Sequence, residues 1–143
     1  MKKRILLLIN LLAISSILFV ACKKENNDDR LKGTWEQKEN QFINRLEFGP
    51  GQKFSMSLTY TDGSASIQNG NFSTKGDSLF VSVSEMVEKK ANGEIVKTPV
   101  DYSLFDKATY SVRGSKLTLR HISYPADAPV ITEMIYSEVD LID

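Results

Sequence analysis

The chain has 143 residues, with 18 basic and 18 acidic side chains, one histidine and one cysteine. A single cysteine excludes a disulfide within the chain, and one histidine with one cysteine cannot build a typical zinc site. No basic stripe is visible, which argues against a nucleic-acid-binding protein. We therefore expect no metal, no other cofactor and no nucleic-acid partner.

The first 21 residues have the organisation of a secretory signal. Lys2, Lys3 and Arg4 precede the apolar run 5–21, which ends on the small residue Ala21. Polar residues interrupt the run, and its length is marginal for a permanent membrane span. The pattern predicts a signal peptide over residues 1–21.

The segment Phe19-Val20-Ala21-Cys22 resembles a bacterial lipobox, although Phe19 stands where leucine is usual. The resemblance implies that Cys22 is lipidated, with palmitate-type acyl chains, and becomes the N-terminus of an envelope lipoprotein. An uncleaved anchor and ordinary cleavage that leaves a free thiol are the alternatives. Lys23, in place of the Asp that resembles an inner-membrane retention signal, favours the outer membrane.

The stretch 22–30 contains no apolar residue after Cys22, so it has nothing to bury and is predicted to be a flexible tether. Its Lys-then-acidic order also resembles export signals that place lipoproteins on the cell surface; otherwise the protein is periplasmic. Removal of residues 1–21, with three basic and no acidic side chains, leaves 122 residues with a net charge of −3. We expect one domain over residues 31–143.

Beyond the tether the hydrophobic pattern has a period of two, as in strands with one buried face. Glycine-containing turn signals such as Asp62-Gly63 and Asn92-Gly93 separate the strands and favour hairpins. Residues 94–98 are either a strand or the extension of a loop, and residues 99–107 are predicted to hold one short helical turn. The predicted strands are 33–39, 42–48, 53–60, 66–75, 78–87, 94–98, 108–113, 116–122 and 130–139.

These features predict an all-β fold, an antiparallel up-and-down meander that closes into a roughly eight-stranded barrel. An internal repeat supports it, because residues 70–81 align with residues 108–119 at an offset of 38. Each copy reads as strand, glycine turn, strand. Convergence of two tight hairpins on similar residues is the alternative explanation.

The first predicted strand opens with Gly33-Thr34-Trp35. This Gly-x-Trp start, followed by meandering strands, resembles the lipocalin and calycin superfamily over residues 31–140. The resemblance implies a lipocalin-like barrel in which Trp35 closes one end. In that family a basic residue from late in the chain stacks beside the tryptophan, and the last predicted strand has none.

Alternation predicts which side chains face the barrel interior. An eight-stranded barrel either fills with its own side chains or holds one small ligand. The expected inner face comprises Trp35, Leu46, Phe48, Phe54, Met56, Leu58, Phe72, Leu79, Val81, Val83, Tyr110, Val112, Leu117 and Leu119.

Residues that could carry chemistry are few. His121 shares a face with Leu119, and no nucleophile motif accompanies it. Glu133 is a buried carboxylate if Ile131 and Ile135 point inward, and an outer-face residue otherwise. The expected ligand-binding residues are Trp35, Phe54, Met56, Leu58, Tyr110, His121 and Glu133.

Two classes of function remain open, and neither is enzymatic. The first is a lipid-anchored barrel that binds a small apolar ligand. The second is a structural or protein-interaction accessory with a packed, ligand-free barrel and a partner in the envelope.

Overall fold

The computed structural model describes residues 27–126 and 128–139. The predicted signal peptide and Cys22 lie outside the described residues. A helix α1 (Asn27–Leu31) precedes nine strands, and a short 3₁₀ turn (Pro50–Gln52) links the second to the third. The strands are β1 (Gly33–Lys38), β2 (Phe42–Phe48), β3 (Lys53–Tyr60), β4 (Ala65–Lys75), β5 (Ser78–Lys89), β6 (Ile95–Ser103), β7 (Asp106–Arg113), β8 (Lys116–Ser123) and β9 (Val130–Glu138).

Eight of the strands close into an antiparallel barrel. Strands β1 to β5 pair in sequence order, β5 then pairs with β7, and β7, β8 and β9 follow in turn. The ring closes where β9 pairs with β1, at Trp35 opposite Glu138 and Glu36 opposite Ser137. The all-β, meandering, closed barrel expected from the alternation pattern is confirmed.

Strand β6 corrects the predicted order of elements. Residues 95–103 form one continuous strand, so the helical turn expected within 99–107 is wrong. β6 pairs with the second half of β5 and lies outside the eight-stranded ring. Pro99 lies opposite Glu85, where the pairing register shifts, and such an irregularity is where a strand tolerates a proline.

The barrel core follows the predicted inner face closely. Of the fourteen side chains expected there, eleven are buried, while Met56, Leu58 and Val112 are partly buried. Three aromatic rings form its densest contact, with Phe48 5.3 Å from Phe54 and 5.0 Å from Phe72 between ring centroids. The sequence pattern did not identify the buried Leu31, Val87, Phe105, Ala108 and Tyr136.

Helix α1 and Trp35 together close one end of the barrel. The helix begins at Asn27, within the stretch expected to be a flexible tether. Leu31 is completely buried, and its carbonyl oxygen accepts a hydrogen bond of 2.8 Å from the Trp35 indole N–H. The buried indole nitrogen is thereby satisfied by the chain immediately before β1 rather than by a residue late in the chain.

The internal repeat corresponds to two similar hairpins, β4–β5 and β7–β8. Gly76 and Gly114 occupy equivalent turn positions with φ of 66° and 55°, a conformation that favours glycine. The equivalent aromatic residues, Phe72 and Tyr110, are both buried. Both hairpins turn at the α1 end of the barrel.

Candidate ligand site on the inner face of the barrel

The two ends of the barrel differ in structure. The α1 end carries helix α1 and the β2–β3, β4–β5 and β7–β8 connections. The opposite end, called here the far end, carries the β1–β2, β3–β4, β5–β6 and β8–β9 connections. Aromatic side chains fill the α1 half, whereas polar side chains point inward above them.

Three inward polar residues are Asn44 on β2, Gln68 on β4 and Tyr136 on β9. The Asn44 amide nitrogen donates to the Tyr136 hydroxyl at 3.1 Å, and that hydroxyl lies 3.4 Å from the Met134 sulfur, a weak acceptor. Asn44 pairs with Leu58, and Gln68 pairs with Met56, so the two β3 side chains lie between the two amides.

The side-chain carbonyl oxygens of Asn44 and Gln68 are buried and have no hydrogen-bond partner among the described residues. An unsatisfied buried acceptor costs about 1–3 kcal/mol. Two acceptors on adjacent parts of one inner face therefore favour a bound group that donates hydrogen bonds. Met56, Leu58 and Met134 supply an apolar, adaptable surface around them.

Burial raises the pKa of Tyr136 from its ordinary value of 10.0 to about 12, although the hydrogen bond from Asn44 acts in the opposite direction. The neutral phenol is the form that fits the interior. Its contribution to stability is fully present below pH 10 and is lost as the pH rises toward 12.

We expect Tyr136→Phe to flatten this alkaline loss of stability. The native chain should lose about 2–3 kcal/mol between pH 10 and pH 12 through this one group, because each unit of pKa shift corresponds to about 1.4 kcal/mol. Urea unfolding at a series of pH values measures the slope. Tyr60→Phe, at an exposed tyrosine, is the matched control. An equal slope in the native chain and Tyr136→Phe would contradict the assignment.

Besides His121, five expected ligand-binding residues lie on the inner face, at different depths. Trp35, Phe54 and Tyr110 are buried in the core of the α1 half. Met56 packs against that core and remains partly exposed. Leu58, the fifth expected residue, is also partly exposed and lies one step further toward the far end. Only Met56 and Leu58 therefore lie beside the unpartnered amide oxygens.

His121 lies on the inner side of β8, as expected, but its contacts are structural. Its ring packs against Phe105, with ring centroids 5.2 Å apart, and Nδ1 lies 3.2 Å from the Ile122 carbonyl oxygen. Phe105 belongs to the β6–β7 connection, so His121 helps to fix that segment against the barrel.

Glu133 does not point inward. Ile131 and Ile135, which share its face of β9, are 79% and 51% exposed, so this face is the outer one. The Glu133 carboxylate pairs there with Arg120. The inner face of β9 instead carries Met134 and Tyr136, so the hypothesis that Glu133 anchors a ligand inside the barrel is wrong.

Asn44, Gln68 and Tyr136 were absent from the expected site, although a signal for two of them was present. Asn44 alternates in step with the predicted inner residue Leu46, and Gln68 alternates in step with Phe72. A polar side chain on an otherwise apolar face can lie at an exposed strand end, so the sequence alone does not show that it is buried. Their burial becomes visible only when the strands close around them.

The outer wall holds a buried carboxylate, Glu36. Burial alone would raise the pKa of Glu36, but the hydrogen bond and charge of Arg45, together with Lys38, outweigh it and hold that pKa below its ordinary value. The outer wall also holds clefts. One of them, about 500 Å³, is lined by residues that include Ser55, Asn69 and Glu85.

Within residues 27–126 and 128–139, no group of three histidine, cysteine or carboxylate side chains is placed to hold a metal ion. None of the helices in that part of the chain is long and apolar enough to cross a membrane.

The fold belongs to the class of eight-stranded antiparallel barrels, and its architecture is compatible with a lipocalin-like fold. No protein-family model matches the chain, and no curated protein or solved structure matches it either.

Proposed function

We propose that this protein is a lipid-anchored, non-catalytic barrel of the bacterial envelope that binds a small, largely apolar ligand on its inner face. The observation that carries the proposal is the pair of buried acceptor oxygens on Asn44 and Gln68, which flank Met56 and Leu58. A ligand site of this kind combines an apolar lining with one or two polar anchors.

The free inner groups define the chemistry of the ligand. Both are amide oxygens, which accept hydrogen bonds and repel another acceptor. A hydroxyl or an amide N–H on the ligand satisfies them, whereas a carboxylate does not. The proposed ligand is therefore a neutral molecule with an apolar body and a donor group, and aromatic packing in the α1 half restricts it to the far half of the barrel.

Isothermal titration calorimetry of residues 23–143 with a long-chain alcohol and the fatty acid of equal chain length tests this proposal. We expect saturable binding of the alcohol and much weaker binding of the acid. Gln68→Leu removes one acceptor and should weaken alcohol binding by about tenfold, the equivalent of one hydrogen bond of about 1.4 kcal/mol. Asn71→Leu replaces an exposed amide on the same strand and is the matched control.

A cavity-filling variant completes the test of the proposed ligand site. Leu58→Trp fills the proposed site and should abolish binding of the alcohol. If neither lipid binds to the native domain, or if Leu58→Trp binds as well as the native domain, the inner face is not a ligand site.

Anchoring is tested separately through Cys22. The lone cysteine after the apolar run supports lipidation, and buried acyl chains contribute about 0.8 kcal/mol per CH₂ to membrane binding. We expect Cys22→Ser to leave a protein that no longer partitions with the detergent phase. A native chain without acyl mass, together with unchanged partitioning of the Ser variant, would contradict a lipid anchor.

A specific observation favours the second function, a protein-interaction accessory. Ile131 and Ile135 form an exposed apolar strip on the outer face of β9, beside the partly exposed Ile122 of β8. Exposed apolar patches commonly mark interaction surfaces. Failure of the lipid titration, combined with loss of a partner from cross-linked cells in Ile131→Ser, would support this alternative.

A further inference from the structure

We propose that the α1 end of the barrel is a membrane-facing surface that binds anionic lipid headgroups. This inference concerns the outside of the barrel and does not depend on a ligand inside it. The choice of a bilayer as the partner rests on the proposed anchor at Cys22, whereas the affinity itself is assigned to the folded domain.

Four exposed basic residues surround this end, and they are called here the basic rim. Lys53 starts β3, Lys75 ends β4, Arg113 ends β7 and Lys116 starts β8. These residues flank three different connections, yet the meander brings them to one end of the barrel. The repeated hairpins contribute Lys75 and Arg113 at equivalent positions.

The charges of the basic rim are not neutralised by ion pairs with any of the described residues. Lys53 and Lys116 contact the neutral oxygens of Asn71 and Ser137 at 3.3 Å and 2.7 Å. Counted over its three connections with their flanking strand ends, α1, Lys32 and the last residue of β9, this end holds six basic side chains against four acidic ones, Asp28, Asp29, Asp77 and Glu138.

The far end of the barrel carries balanced charge. Counted in the same way, its described β1–β2, β3–β4 and β5–β6 connections hold three basic and three acidic side chains. Two of the lysines are paired there, Lys90 with Glu94 at 3.0 Å and Lys38 with Glu36 at 3.4 Å. The barrel is therefore electrically polarised along its axis, with an excess of two basic side chains at the α1 end (six against four) and equal numbers in the three described far-end connections.

The position of Cys22 in the chain points to a membrane as the partner of the basic end. Helix α1 joins the barrel at the basic end, and only five residue steps separate Cys22 from Asn27, a reach of at most about 18 Å. A membrane held at Cys22 by the proposed acyl anchor would lie close to the basic rim, and the residues between them include Lys23, Lys24 and Glu25. Each basic residue close to an anionic bilayer contributes about 1 kcal/mol, within a screening distance of about 8–10 Å.

Vesicle sedimentation of residues 23–143 tests the proposal without an acyl anchor. That fragment contains every strand and every core residue described above, and circular dichroism confirms its folding. We expect binding to vesicles that contain phosphatidylglycerol, little binding to phosphatidylcholine alone, and release by added salt. The variant Lys53→Gln/Lys75→Gln/Arg113→Gln/Lys116→Gln should bind at least about tenfold more weakly.

The matched control removes four positive charges elsewhere. Lys38→Gln/Lys89→Gln/Lys90→Gln/Lys97→Gln changes the net charge equally but leaves the basic rim intact, so its vesicle binding should stay close to the native value. If both quadruple variants weakened vesicle binding equally, the binding would depend on net charge and not on the basic rim, and the proposal would be overturned. Retention on an anionic polymer without any vesicle binding would also overturn it, in favour of a non-membrane partner.

Discussion

Trp35→Ala is expected to destabilise the barrel by about 3–5 kcal/mol, the range for removing a large core aromatic side chain. Trp35 is only 1% exposed and is the largest of the fully buried side chains. Its removal opens a cavity at the α1 end and leaves the Leu31 carbonyl oxygen without its 2.8 Å donor. Equilibrium unfolding in urea, followed by circular dichroism because the fluorophore is lost, measures the change.

A second substitution separates packing from hydrogen bonding. Trp35→Phe keeps an aromatic ring in the core but cannot donate to Leu31, so it should destabilise by an amount between zero and the alanine value. A weaker attachment of helix α1 is the specific consequence, because α1 is held to the barrel by this hydrogen bond together with the buried Leu31 side chain. An unfolding curve unchanged by Trp35→Ala would refute the closed α1 end.

Gly70→Ala is expected to destabilise the barrel by about 3 kcal/mol or more, although it adds only one methyl group. A Cβ at Gly70 would lie 1.9 Å from the Ser82 carbonyl oxygen and 2.9 Å from the Val83 Cα. Both are backbone atoms of β5, so no side-chain rotation relieves the overlap. Overpacking within a well-packed core costs typically 1–3 kcal/mol and sometimes more when the backbone must move.

The local structure explains why glycine is required there. The β4–β5 register shifts between Asn69 and Gly70, and a bulge of this kind brings the two backbones unusually close. Gly49→Ala is the matched control, because its φ of −93° suits alanine and its nearest neighbours lie 3.7 Å away. Thermal melts should shift strongly for Gly70→Ala and little for Gly49→Ala. Similar shifts for both would contradict the close approach of β4 and β5.

Most of the strands could be predicted from the sequence because each strand has one buried face. Phe54, Met56 and Leu58 alternate with polar neighbours, and that alternation alone places them on one side of a sheet. Glycine turns such as Gly76 and Gly114 then separate neighbouring strands. These are local signals, in which residues close in the chain specify both the element and its orientation.

The errors occur where local signals are ambiguous. β6 has no buried face, since eight of its nine residues are exposed, and its pairing with β5 is what makes it a strand. β9 carries apolar residues on both faces, so alternation could not decide whether Ile135 or Tyr136 points inward. Glu133 was included in the expected site because the sequence left open which face of β9 points inward.

The sequence by itself determined the all-β class, the positions of most strands and turns, most of the core, and the expectation of a secreted, lipid-anchored chain. Alternation and turn chemistry are local properties, because they depend on residues that lie within a few positions of one another in the chain. Only the tertiary structure decided which face of β9 is buried, that Asn44 and Gln68 share the interior with Met56 and Leu58, and that four basic residues from separate hairpins meet at one end. Those features arise from strand pairing and barrel closure between residues far apart in the chain, which no local pattern encodes.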